Sequence, residues 1–195
     1  MSTPNQWRKG HHLPVLSSRP DLFYGRMEVD VSSTAFQEGK QFRISYEYTE
    51  VGSTPLVLRF SSPVDFLLQG QDLTSDLVGV RYRVFRAAQG TPGGTFGTQV
   101  QITRSNGTSD AKPLNPLVTI FTGGTFTPTA GQVAQETIRI RTPSGSKKSL
   151  SVSGEAGDER GIPAGDHYII LQSIDANNLA SGVLNLEWEE VRPTE

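Results

Sequence analysis

Phe42-Arg43-Ile44-Ser45-Tyr46-Glu47-Tyr48 alternates apolar and polar side chains without a break. Successive side chains of an extended strand point to opposite faces. The alternation therefore sets Phe42, Ile44, Tyr46 and Tyr48 toward a core and Arg43, Ser45 and Glu47 toward water or a partner. Val80-Arg81-Tyr82-Arg83-Val84, Ile138-Arg139-Ile140-Arg141 and Leu184-Asn185-Leu186-Glu187-Trp188 repeat the pattern. Residues 56–60, 64–69, 100–103, 117–121, 149–153 and 168–174 complete a set of about ten short strands at the spacing of a sandwich or barrel.

Turn residues separate these strands. Gly93-Gly94, Asn106-Gly107, Gly123-Gly124 and Gly154 tolerate positive φ, while Pro55, Pro63, Pro113, Pro116, Pro128, Pro143 and Pro163 withhold a donor and favour strand ends. No long helix fits between them. The stretches 71–77 and 133–137 are compatible with one helical turn, and 90–97 reads as a Gly-rich loop. A single open sheet of this many strands leaves a face and two edges bare. The expected fold is all-β, a jelly-roll-like antiparallel β-sandwich. Residues 27–195 form one domain, and 1–26 an extended N-terminal arm.

The arm carries Pro4, Pro14 and Pro20, the pair His11-His12, and a charge of +3 from Arg8, Lys9, Arg19 and Arg26 against Asp21. Trp7, Leu13, Val15, Leu16, Phe23 and Tyr24 are buried only if the arm lies along a surface, its own domain's or a neighbour's. Charge is uneven elsewhere too. Residues 79–148 hold nine Lys or Arg against two acids, and 155–195 hold nine acids against two Arg, beneath a net charge of only −2. Such asymmetry either neutralises locally within one sandwich or orders a charged partner.

Residue chemistry excludes much. The 195-residue chain has no Cys, which rules out disulfides, thiolate metal sites and thiol nucleophiles, and fits a reducing compartment. Its three His offer no hydrolase constellation: His11 and His12 fall in the arm, His167 opens a strand, and no Gly-x-Ser-x-Gly elbow occurs. Consecutive His on an extended chain point apart, and Glu155, Asp158 and Glu159 lack calcium-loop spacing. Asp65, Asp72 and Asp76 carry no glycosidase motif. No Gly-rich phosphate cradle is present. We therefore expect no catalysis, no metal and no cofactor. No stretch approaches the ~20 apolar residues of a membrane helix, and the N-terminus lacks the apolar core of a secretory signal. The chain is thus expected to be soluble and not exported.

Arg81 and Arg83 share one face of their strand, and Arg139 and Arg141 one face of theirs. Adjacent strands would make an Arg-rich stripe suited to planar capture of carboxylates on a protein partner. Nucleic acid is the competing reading, but the stripe brings no exposed aromatics and the chain is rich in acids.

Arg19-Pro20-Asp21-Leu22-Phe23-Tyr24-Gly25, then Phe42-Arg43-Ile44-Ser45-Tyr46 followed by Leu58-Arg59-Phe60-Ser61-Ser62-Pro63-Val64, resemble in their order small β-rich structural proteins of tailed bacteriophages. Ile162-Pro163-Ala164-Gly165-Asp166-His167-Tyr168 and the closing Leu184-Asn185-Leu186-Glu187-Trp188-Glu189 extend that resemblance over nearly the whole chain. It implies a capsid decoration, or cement, protein made in the host cytoplasm and carried on the outside of the virion. Such a protein is a dimer or trimer that clamps neighbouring major capsid subunits, without nucleic acid or membrane as partner. Trp7, Arg8, Lys9, Leu13, Arg19, Phe23 and Tyr24 of the arm, with Arg81, Arg83, Arg139 and Arg141, are the expected contacts. The alternative is a carbohydrate-binding module or virion surface lectin, with Trp7, Tyr24 and Trp188 stacking on sugar rings.

Overall fold

The computed structural model describes residues 39–76, 78–105, 114–141, 149–153 and 160–192. Nine strands build the frame: β1 (Gln41–Val51), β2 (Leu56–Ser62), β3 (Phe66–Asp76), β4 (Val80–Arg86), β10 (Glu136–Ile140), β11 and β12 (Ser149–Ser153 and Arg160–Ile162, which share one partner), β13 (Gly165–Ser173) and β14 (Ala180–Glu190). Between β4 and β10 lie β5 (Gly90–Gly93), β6 (Thr98–Gln99), β7 (Thr103–Arg104), β8 (Thr119–Thr122) and β9 (Thr125–Pro128).

The pairing is nested: β1 with β14, β2 with β13, β3 with β11 and β12, β4 with β10, all antiparallel. First joins last, second joins second to last, and so inward. Rolled up, the nested ribbon gives one sheet in the order β11-β3-β14-β1-β7 and another in the order β10-β4-β13-β2-β8-β6. That is a jelly roll.

Period-two patterning does the folding. Along β14 every second residue is buried, from Ala180 through Leu184 and Leu186 to Trp188 and Glu190. On β1, Phe42, Ile44 and Tyr48 are buried and Tyr46 half-buried while Arg43, Ser45 and Glu47 face out, as the sequence predicts. Between the sheets Trp188 packs against Phe42 and edge-on against Phe60, which stacks on Phe66. Burying side chains of this size supplies about 1.5–3 kcal/mol each, the main term favouring the fold.

Several local expectations change. Residues 71–76, compatible on sequence with a helical turn, are the second half of β3. Hydrogen bonding to β14 on one side and β11 on the other overrides local propensity. Residues 133–135 likewise form no helical turn and lead into β10, which begins at Glu136. Gly90–Gly93, expected as loop, pairs with β9 in a two-stranded ribbon, with Pro92 opposite Phe126. The single strand expected at 100–103 is instead a crossing. β6 belongs to the second sheet and β7 to the first, so residues 100–102 close one side of the sandwich, with the Val100 amide bonded to the Ile120 carbonyl.

The β5–β9 ribbon lies on the outside of the second sheet. There Phe126 stacks on Tyr168 at 4.2 Å and touches Phe85, making a second apolar cluster with Val57 and Ile170. Gly90 permits this approach, because a Cβ there would sit 2.5 Å from the Phe126 ring.

Candidate functional site

Away from the core, the second sheet presents three cross-strand rows. Phe121, Arg59, Tyr168 and Phe85 form the first; Val57, Ile170, Arg83 and Thr137 the second; Gln172, Arg81 and Arg139 the third. The aromatic row lies beneath the β5–β9 ribbon. Beyond the ribbon Arg139 is exposed and Arg81 and Arg83 are half-buried, while Val57 and Ile170 belong to the covered cluster.

Each guanidinium is held differently. Arg59 sits between two rings, 5.3 Å from Phe96 and 5.4 Å from Phe121, a cation–π arrangement that fixes its plane. Arg83 lies 5.9 Å from the Phe85 ring and donates from Nη2 to Gln172 Oε1 at 3.3 Å. The Nε atoms of both are buried without a hydrogen-bond partner among the described residues. Burial, then the neighbouring Arg81, holds the Arg83 pKa below the usual guanidinium value. Arg139 stands directly opposite Arg81 on the adjacent strand, and Arg141, just past the end of β10, is exposed. Among the described residues no carboxylate lies within ion-pair distance of Arg59, Arg81, Arg83, Arg139 or Arg141. A planar array of this kind suits carboxylates or other oxyanions on a protein surface.

The first sheet shows the opposite charge. Its outer face carries Glu47, Asp72, Glu187 and Glu189 against Arg43. Among the described residues one salt bridge joins the two chain segments: Arg160 to Glu136 at 3.0 Å ties β12 to β10 across the mouth between the sheets. On this acidic face an open groove of about 600 Å³ runs over the cross-strand rows Arg43–Glu187–Gly70 and Ser45–Asn185–Asp72. Asn185 Nδ2 reaches Asp72 Oδ2 at 3.4 Å, and Ser105 Oγ donates to Glu187 Oε1 at 2.7 Å.

The structure thus brings Arg81, Arg83 and Arg139 together and leaves Arg141 at their margin. Trp7, Arg8, Lys9, Leu13, Arg19, Phe23 and Tyr24 lie outside the described residues. So do His11, His12 and the Glu155, Asp158 and Glu159 loop. Trp188 is 0% exposed in the core and cannot stack on a sugar. His167 is a buried residue near the start of β13, its Nε2 2.9 Å from the Pro163 carbonyl, and burial above all lowers its pKa. Among the described residues no three His, Asp or Glu cluster as metal ligands. Arg59 is the residue that sequence reading passed over, although Leu58-Arg59-Phe60 carries the same alternation. Phe121, which frames it, ends the expected strand at 117–121, whereas Phe96 comes from a loop of the β4–β10 insertion to which no periodicity points.

No family model matches the chain, and no curated protein matches it.

Proposed function

We propose that this chain is a structural protein of a virus particle that binds the outer surface of a phage head and clamps neighbouring major capsid subunits. The observation that supports this reading is the open arginine face of the second sheet, rigid, pleated and without an acidic partner among the described residues. A flat β surface bearing several guanidiniums docks on a folded, acidic protein surface rather than enclosing a small molecule. The arm, with Trp7, Arg8, Lys9, Leu13, Arg19, Phe23 and Tyr24, reaches a second site on the shell. Oligomerisation as a dimer or trimer multiplies weak contacts into avidity.

Binding of the purified chain to expanded heads is the test. Deleting residues 2–18 abolishes occupancy while the sandwich stays folded, and changing Arg81, Arg83, Arg139 and Arg141 together to Ala weakens it and flattens its salt dependence. Unchanged occupancy in both variants rejects the reading. Light scattering at micromolar concentration checks the oligomer, and a monomeric mass removes that part.

The groove on the opposite face favours a second reading, as a carbohydrate-binding module or virion surface lectin. Its floor offers carboxylate, amide and hydroxyl groups suited to sugar hydroxyls, without an aromatic platform. Reproducible millimolar binding on a glycan array, lost in Asn185→Ala, supports it.

A further inference from the structure

β10 is an edge strand: β4 pairs with one side of it, and no described strand pairs with the other. Such an edge invites another strand. Its outward residues raise the demand, because Arg139 faces Arg81 directly across the ladder and Arg141 follows, and like charges in that position repel. Its inward side is also incomplete. Ile138 is only half-buried, and a small apolar hollow of about 50 Å³ lies between the sheets beside Glu136, Leu68 and Ile162.

The complement is present in the same chain. Met27-Glu28-Val29-Asp30-Val31 alternates apolar and acidic residues where Ile138-Arg139-Ile140-Arg141 alternates apolar and basic ones. We propose that residues 27–31 of the same chain add to the free edge of β10 as an antiparallel strand, with Asp30 opposite Arg139 and Glu28 opposite Arg141. Val29 and Val31 then lie beside Ile140 and Ile138 and continue the inner face.

Direction and reach agree. β10 begins at the end of the sandwich where β1 also begins, since Gln41 pairs with Glu189, Glu190 with Phe66, Ile162 with Phe66, and His167 with Arg86 at the end of β4. An antiparallel strand on β10 releases its C-terminal end there. The ten steps from Val31 to Gln41 span up to ~33 Å at ~3.3 Å each. The gap is about four strand spacings sideways and one sheet separation across, roughly 22 Å. Intramolecular docking at that range has a high effective concentration. The pairing is tested without a shell, and Arg81 and Arg83 keep their place on the sheet face whether or not it forms.

Hydrogen exchange of the full-length isolated protein tests this. Amides of residues 28–30 and those of β10 that β4 leaves unpaired are protected about tenfold or more over Ala variants of Glu28 and Asp30. Arg139→Glu with Arg141→Glu abolishes the protection, and adding Glu28→Lys with Asp30→Lys restores it. If the arginine variant does not fold, Glu28→Lys with Asp30→Lys alone, outside the described sandwich, carries the same expectation of loss. Unprotected residues 27–31 in the wild type, or failure of the restored pair, overturns the proposal. Protection that rises with concentration alongside a doubled mass also overturns it, by assigning the strand to a second copy.

Discussion

Trp188 fills the centre of the sandwich, fully buried between Phe42 and Phe60. Trp188→Ala removes about 3–5 kcal/mol, measured as a fall in the urea midpoint at unchanged slope, whereas Trp188→Phe keeps most of the ring contact. Gly182 is constrained differently: a Cβ there would stand 2.1 Å from the Thr74 carbonyl and 2.7 Å from the Tyr48 hydroxyl, which itself donates to Thr74 O at 2.6 Å. Gly182→Ala therefore costs about 1–3 kcal/mol by overpacking, despite removing nothing. His167 gives the pH dependence. Burial, opposed by its bond to Pro163, holds the folded imidazole below its ordinary 6.5, so below that pH the unfolded chain binds the additional proton. Its contribution to stability is complete above about pH 6.5 and declines as pH falls toward the folded value. Urea midpoints measured between about pH 7 and pH 5.5 should fall in the wild type and fall less in His167→Gln.

At the scale of elements, alternation was enough to find β1, β4, β10 and β14, because each has one face in the core and the other turned out. β2 and β13 were legible as short apolar runs instead, since the β5–β9 ribbon covers Val57, Tyr168 and Ile170 on their outer face. Alternation failed where strands are made by partners. Gln71–Asp76 has no clean period, and Gln69 is the extra residue of a bulge opposite Glu187 and Trp188, turned out to bond Gln41 at 2.5 Å and Glu189 at 3.1 Å. Gly90–Gly93 is a strand only because Phe126 needs the outer face of the second sheet as cover. The stripe of Arg81, Arg83 and Arg139 was legible for the same reason as the strands that bear it. The Phe96 ring beside Arg59 was not, since its placement depends on how a long insertion folds back. That insertion makes its own prediction. Phe126→Ala opens the cluster with Tyr168 and Phe85, costs about 3–5 kcal/mol, and loosens the β5–β9 ribbon first. Hydrogen exchange should show residues 90–93 and 125–128 losing protection while β13 and β14 keep theirs.

For the whole molecule, nested pairing means that the last strand completes the first sheet. β14 lies between β1 and β3, so its register with Gln41 on one side and Phe66 on the other is available only after nearly the entire chain exists. The closing residue does more than pair. Glu190 is 0% exposed, accepting the Leu117 and Val118 amides at Oε1 and Arg192 at Oε2, while Arg192 also donates to the Asn115 carbonyl and covers the Phe42 ring. This carboxylate fastens the middle of the β4–β10 insertion, where it enters β8, to the end of the roll. Glu190→Ala leaves two amides and a guanidinium unmatched in a dry site and costs about 3–5 kcal/mol. Truncation before Ala180 has a larger consequence: it strips β1 and β3 of their shared partner and exposes Trp188's neighbours, Phe42 and Phe60. The truncated chain should lack near-ultraviolet dichroism and cooperative unfolding. A cooperative transition retained without β14 would mean that the second sheet folds alone, against the argument that the two sheets share one core.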